Sequence, residues 1–239
     1  MNPIILIPAR MAATRLPGKP LADIAGKPMI VRVLERAKLS GIRDIAVACD
    51  SEAIAAAVEK AGGRAVLTDP NLPSGSDRIW QALTKIDPQE KHDIVLNLQG
   101  DMPTFEPMVI QKTLALLDDP AIDIATPVAE IIDEKEKTDP SVVKTVMAGN
   151  RALYFSRAAV PHGDGPLYHH IGLYAYLRPA LKKFVALPPS PLEKREKLEQ
   201  LRALEAGMTI GVARVEAVPL GVDTPEALQK AREWYEQKN

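Results

Sequence analysis

The sequence contains a single cysteine, Cys49, among 239 residues. One thiol cannot close an internal disulfide and cannot build a cysteine-rich zinc site. A free cysteine packs as a small hydrophobe, so Cys49 is expected to be buried near a strand end. Long apolar runs are missing as well. The run Ile4 to Ile7 falls far short of the roughly 20 residues that cross a bilayer. The N-terminus has neither the charged start nor the small-residue cleavage site of a secretory leader. The expectation is a cytoplasmic enzyme with no membrane partner. Charge of one sign is not in excess: 30 Lys and Arg stand against 31 Asp and Glu, a net of −1. No global basic field draws in nucleic acid, and any bound anion must be held by a local cluster. A Walker motif is absent, no GxGxxG follows the first apolar run, and there is no internal repeat, low-complexity run or clear linker.

What is present is a hydrophobic fraction of 46%, enough for a sizeable core. The first hundred residues alternate strand and helix signals. Ile4 to Ile7 read as a strand buried on both faces. A helix follows from about Lys27 to Ser40, with Met29, Ile30, Val33, Leu34 and Ala37 at helical spacing and Gly41 as its stop. Strands are predicted at Ile45 to Ala48, Ala65 to Leu67 and Ile94 to Leu98. Helices are predicted after Asp50 or Ser51, either of which is a cap, and over Asp77 to Ile86. This is the pattern of a parallel α/β fold, whose ligands bind beyond the carboxyl ends of the strands. Chemistry is therefore expected just after Ile7, Leu67 and Leu98. The second half is less regular. It predicts strands at Val142 to Met147, Ile171 to Tyr176 and Thr209 to Val215. It also predicts helices at Pro179 to Val185, Leu192 to Ala206 and Pro225 to Lys238, the last capped by Thr224. The expectation is one domain over 1–239 with an inserted lobe at about 130–206.

The segment after the first strand carries three cations, Arg10, Arg15 and Lys19, with no acid among them. Arginine forks onto phosphate or carboxylate oxygens, lysine supplies a point charge, and Gly18 lets the backbone turn closely around a ligand. A solvated basic loop is the plain alternative. The string IPARMAATRLPGKPL with the following GKPMI resembles the CMP-Kdo synthetases, or 3-deoxy-manno-octulosonate cytidylyltransferases, of the nucleotide-sugar pyrophosphorylase superfamily. The resemblance implies a Rossmann-like, mostly parallel sheet flanked by helices, of the nucleotide-diphospho-sugar transferase type, with an inserted α+β lobe for sugar binding and dimerisation. It implies that Pro8, Ala9, Arg10, Arg15 and Lys19 bind the nucleotide CTP, with Arg10 and Lys19 on its phosphates and Arg15 near the sugar as well.

Ser74-Gly75-Ser76-Asp77-Arg78 resembles the family's SGTER loop around cytosine and ribose, with Asp77 in place of Glu. Ser74, Gly75 and Arg78 are the implied nucleotide contacts; Ser76 and Asp77 also read as helix caps. Gln99-Gly100-Asp101-Met102-Pro103 resembles QGDEP. A lone acid after an apolar strand suits Mg²⁺, which takes one or two carboxylates together with phosphate oxygens; as a plain turn residue Asp is also common. Gly221-Val222-Asp223-Thr224-Pro225 resembles the family's GVDTP and implies Asp223 as the second Mg²⁺ carboxylate. YFSR (154–157), HHIGLY (169–174), PSPLE (189–193) and LEQLR (198–202) complete the likeness. They imply a pocket for the acidic sugar Kdo built from Arg15, Gln99, Arg157, His170, Tyr174, Glu199 and Gln200. His169 and His170 are adjacent on a predicted strand and point to opposite faces, so they do not chelate one ion. The implied activity is Mg²⁺-dependent transfer of CMP from CTP to Kdo for lipopolysaccharide assembly, by a homodimer, with Arg10, Lys19, Asp101 and Asp223 catalytic. An enzyme for the 8-amino variant of Kdo or for a sialic acid, and an inactive nucleotide-binding regulator, are the alternatives.

Overall fold

A computed structural model describes residues 1–12 and 15–238. Thr14 and Ala13, in the cation segment, lie outside the described residues. The chain divides into two compact units, residues 1–108 with 219–239, and residues 109–218.

In the first unit, β1 (Pro3–Ala9) is followed by α1 (Met29–Lys38), β2 (Asp44–Cys49), α2 (Glu52–Lys60), β3 (Arg64–Leu67), α3 (Gly75–Ile86) and β4 (Ile94–Asn97). The strands run in the order β4-β1-β2-β3, all parallel, with Ile5 facing both Ile45 and Leu96. Ile4, Ile5, Leu6 and Ile7 are all buried, as an apolar run without alternation requires of a strand covered on both faces. The helix foreseen from Lys27 begins later, at Met29. Lys27 and Pro28 instead pair with Asp23 and Ile24 in a short antiparallel hairpin, because the residue before a proline disfavours helical backbone. Cys49 ends β2 with its side chain buried. Ser51, not Asp50, caps α2 by accepting from the Ala53 N–H at 3.2 Å.

The second unit holds β5 (Ile124–Glu130), β6 (Lys144–Ala148), β7 (Arg151–Ser156), β8 (Tyr168–His170), β9 (Tyr174–Leu177) and β10 (Ile210–Val215), in the order β8-β6-β7-β10-β5-β9. Two of these, β5 and β7, carry no clear periodic signal. β7 returns from β6 through a two-residue turn at Gly149 and Asn150, where Gly149 takes φ +59°; glycine makes that turn available without steric cost. In place of the single strand expected over Ile171 to Tyr176 there are two short ones: β8, which ends at His170 before that span, and β9, which begins only at Tyr174. A tight turn separates them, the Leu173 N–H donating to the Ile171 carbonyl at 2.7 Å. The single helix expected over Leu192 to Ala206 is also two, Pro191–Glu196 and Leu201–Glu205. Lys197 breaks it with left-handed backbone at φ +56°. The neighbouring Glu196 is held by the Ser156 hydroxyl at 2.8 Å and the Arg157 N–H at 3.0 Å.

Candidate active site

The carboxyl ends of β1 and β4, the start of α3 and the segment before the C-terminal helix α4 (Pro225–Glu236) line a cleft of about 490 Å³ in the first unit. Pro8, Ala9, Arg10, Arg15, Lys19, Ser74, Gly75, Arg78, Gln99, Asp101 and Asp223 all border it. Every nucleotide and metal candidate named from the sequence is therefore on this one cleft.

The meeting of Asp101 with Asp223 is made by main chain and one lysine. The Val222 N–H donates to the Asp101 carbonyl at 2.8 Å. The Leu220 N–H donates to the Thr104 hydroxyl at 3.0 Å, and the Tyr235 hydroxyl to the Pro103 carbonyl at 2.7 Å. These bonds lay the segment 220–223 along the turn that follows β4. The Lys19 ammonium then spans both acids, 2.7 Å from Asp101 Oδ2 and 2.8 Å from Asp223 Oδ1. Arg15 adds a 2.8 Å contact to Asp223 Oδ2, but its side chain is 66% exposed, so solvent screens most of that attraction.

The charges of this cluster are well defined. Burial alone would lower the Lys19 pKa, but the charge of Asp101 and hydrogen bonds to both aspartates outweigh it and leave the pKa raised. Burial alone would raise Asp223, and the Lys19 hydrogen bond and charge, with Arg15, reverse that and hold its carboxyl below the usual range. Among the described residues Arg10 has no ion-pair partner, and it stands exposed on the cleft rim.

The close approach of β1 to the β4 turn depends on Gly100. A Cβ there would lie 2.8 Å from the Pro8 carbonyl oxygen and 3.2 Å from Ile30 Cδ1. Main chain on one side and a packed core side chain on the other leave little room to yield. Gly100→Ala is therefore expected to cost about 1–3 kcal/mol of stability by overpacking and to displace Asp101. Urea unfolding together with turnover checks this; an unchanged midpoint and rate would show that the turn can move aside.

At α3, the sequence suggested Ser76 or Asp77 as the cap. The cap is Ser74, whose hydroxyl oxygen accepts from the Asp77 N–H at 3.1 Å and donates to Asp77 Oδ2 at 2.6 Å. The helix thus begins two residues earlier, with Gly75 as its first residue, and its N-terminal amides sit at the cleft, a favourable place for an anion. Arg78 is 3% exposed. Its guanidinium donates to the Thr68 hydroxyl at 2.6 Å and lies 3.8 Å from Asp50.

The sugar candidates are divided between the units. Gln99 belongs to the first, where its amide donates to the Asn97 side chain at 3.1 Å. Arg15 also belongs to the first, where it meets Asp223. Arg157, His170, Tyr174, Glu199 and Gln200 belong to the second. His170 is buried, packed edge-on against Phe155 at 5.0 Å and tilted against Tyr174 at 5.4 Å between ring centroids. Its Nε2 lies 2.9 Å from the Thr126 hydroxyl, whose proton is directed to the Leu173 carbonyl at 2.8 Å. Nε2 must then carry the proton and donate. His169 faces elsewhere, 3.4 Å from Glu136. Arg157 spends Nε on the Glu196 carbonyl at 2.9 Å and Nη1 on the Pro140 carbonyl at 2.8 Å, tying the segment at Pro140 to the end of the helix Pro191–Glu196. Glu199 follows this junction, and Gln200 is buried beside it.

Burial, with a smaller contribution from His169, pushes the His170 pKa down to about 3. The unfolded chain, with an ordinary histidine pKa of about 6.5, binds more protons than the folded one between these limits. His170's contribution is therefore complete above about pH 6.5 and is lost as pH falls toward 3, with a slope approaching ~1.4 kcal/mol per pH unit. His170→Gln keeps a donor for Thr126 without titrating. It is expected to flatten the acid limb of stability in denaturant titrations; identical slopes in both proteins would overturn the assignment.

Sequence reasoning read Asp50 only as a possible helix cap and passed over Glu196. Asp50 had a legible signal, since it follows β2 at the carboxyl edge of a parallel sheet. Glu196 had none, because its partners Ser156 and Arg157 are distant in sequence.

A family model described as Cytidylyltransferase matches residues 4–210. A 3-deoxy-manno-octulosonate cytidylyltransferase from Xanthobacter autotrophicus is 64% identical over 234 residues, covering 96% of this chain and 92% of the relative. One from a Bradyrhizobium species is 63% identical, covering 96% and 95%. A solved structure, CMP:2-keto-3-deoxy-manno-octonic acid synthetase complexed with CTP, matches with a TM-score of 0.94 at 40% identity over 100% of both chains. The expected α/β architecture of the nucleotide-diphospho-sugar transferases is thereby borne out. With a likeness that runs nearly the length of the chain, this protein belongs to the 3-deoxy-manno-octulosonate cytidylyltransferase family.

Proposed function

We propose that the protein transfers CMP from CTP to the anomeric hydroxyl of Kdo, forming CMP-Kdo and pyrophosphate. The observation that carries this reading is the single ammonium of Lys19 held between Asp101 and Asp223 at a cleft that Arg10 also borders, without an ion-pair partner among the described residues. The cleft thus offers positive charge for a triphosphate beside negative charge for a cation. In the proposed reaction the anomeric oxygen attacks the α-phosphorus in line. The bond from that phosphorus to the bridging oxygen breaks, pyrophosphate leaves with the electron pair, and the hydroxyl proton passes to solvent. Arg10 and Lys19 neutralise the departing pyrophosphate, a positioning and electrostatic task that needs no covalent intermediate.

Asp101 and Asp223 fit Mg²⁺: two carboxylates at one point, with room left for phosphate oxygens, is the donor set this ion prefers. When bound there, Mg²⁺ would supply Lewis-acid charge that lowers the pKa of the attacking hydroxyl. The same reading makes the enzyme cytoplasmic and homodimeric, with its product consumed in lipopolysaccharide assembly. Among the described residues, no helix is long and apolar enough to cross a membrane.

The test is pyrophosphate release from CTP and Mg²⁺ with Kdo, 8-amino-Kdo and a sialic acid as separate acceptors. Kdo is expected to give the highest kcat/KM. A preference for either other sugar would reassign the acceptor, and tight CTP binding with no turnover of any sugar would make the chain a regulator.

A further inference from the structure

We infer that Asp50 is a positioning residue that holds the peptide between Arg10 and Met11 in place, and that Arg78 acts by securing Asp50 rather than by reaching the nucleotide. This rests on the proposed binding of CTP by the cation loop. The parallel ladder of β1 with β2 ends at the pair Ala9 and Cys49. Beyond it the β1 backbone has no strand partner, yet the loop must present Arg10 in a fixed direction. Asp50, the next residue after β2, supplies the missing rung from its side chain: Oδ1 accepts from the Met11 N–H at 3.0 Å. That N–H belongs to the peptide unit of Arg10, so the bond fixes the plane from which the Arg10 side chain departs.

The rest of the arrangement braces Asp50. Its side chain is only 8% exposed, and Oδ2 lies 3.8 Å from Arg78 Nη2. Arg78 is anchored by its 2.6 Å bond to the Thr68 hydroxyl. Thr68 is anchored in turn, its hydroxyl and its N–H both donating to the Cys49 carbonyl, at 2.9 and 2.8 Å. A closed path thus runs from the end of β2 through the end of β3 and the first turn of α3 back to the start of the cation loop. The ion pair is loose at 3.8 Å, whereas the bond to Met11 has ordinary hydrogen-bond length at 3.0 Å. The carboxylate is therefore placed for the backbone amide, with Arg78 as its countercharge.

The test separates these roles in an Arg78→Met background, where no buried cation is left stranded. Arg78→Met/Asp50→Asn retains an acceptor for the Met11 N–H, and Arg78→Met/Asp50→Leu does not. CTP binding without sugar is measured by calorimetry, alongside Tm. The Leu variant is expected to bind CTP about tenfold more weakly than the Asn variant, at similar Tm. Equal affinities would overturn the inference. If the Leu variant does not fold, hydrogen exchange in the wild-type protein decides: slow exchange at the Met11 amide supports the bond, and exchange at the rate of an open amide overturns it. Arg10→Ala serves as the control. Wild-type binding that Arg10→Ala weakens, with both double variants alike, would remove only the role of Asp50. No CTP binding by the wild-type chain would remove the proposed function and this inference with it.

Discussion

Asp101→Asn is expected to lower kcat by about three orders of magnitude, the scale of losing a preorganised electrostatic group in a reaction centre. Its Tm should stay within a few degrees of wild type. The change keeps size and shape and removes one charge. Asp101 is 28% exposed and touches Lys19, and partly exposed pairs contribute little to folding. The fold around it is held by main chain, since the Val222 N–H bonds to the Asp101 carbonyl and not to its carboxylate. The loss should therefore fall on chemistry. In the proposed mechanism an amide in this position leaves Asp223 alone to hold Mg²⁺, and the attacking hydroxyl loses the charge that lowers its pKa. Steady-state kinetics and thermal unfolding on the same preparation check this. Turnover near wild type would remove Asp101 from the reaction, and a collapse in Tm would make it a structural residue.

Lys19→Met is expected to cost about a hundredfold or more in kcat/KM for CTP and, with no nucleotide present, to tighten divalent-cation binding. The two effects have opposite signs because Lys19 does two jobs. It is proposed to hold the triphosphate, and in the free protein its ammonium neutralises the same two carboxylates that are proposed to hold the metal. Removing it unmasks Asp101 and Asp223, so Mn²⁺ titrated as a probe and followed by electron paramagnetic resonance should bind several-fold more tightly. Unchanged Mn²⁺ affinity would mean that the aspartates are not a cation site.

The pH dependence provides a second readout. Asp223, depressed by Lys19 and Arg15, contributes stability that is complete above the unfolded value of about 3.9 and is lost as pH falls through its lower folded value. In Lys19→Met that depression shrinks and the contribution with it. The raised Lys19 pKa works on the other side. Its stabilisation is complete below the unfolded value of about 10.4 and is lost as pH rises through the folded one. The variant should lack this alkaline limb.

The first unit was legible because its signals are local. Ile4 to Ile7 could be read as a doubly covered strand from composition alone, and Thr224 with Pro225 marked the start of the last helix, where the Thr224 hydroxyl accepts from the Ala227 N–H at 3.2 Å. The cation loop was legible from its unbalanced charge. The second unit was less so. Its strand pairings are mostly antiparallel and distant in sequence, and two elements break where the period continues. The span 192–206 reads as one helix, but a left-handed Lys197 and the bonds to Glu196 divide it. Ser74 was not named as the cap because Ser76 and Asp77 are equally good caps by type, and only backbone geometry chooses among them.

By itself the sequence determined which groups were available: three cations after the first strand, an acid after Gly100, another before the last helix, and a parallel α/β frame to carry them. Those properties belong to short segments, where periodicity, capping and charge act over a few residues. The tertiary structure decided which groups meet. Asp101 and Asp223 share Lys19 because the Val222 amide bonds across to the Asp101 carbonyl, and Asp50 meets Met11 because β1 and β2 lie side by side. Contacts of that kind depend on the path of the folded chain through space, and no local pattern of residues encodes them.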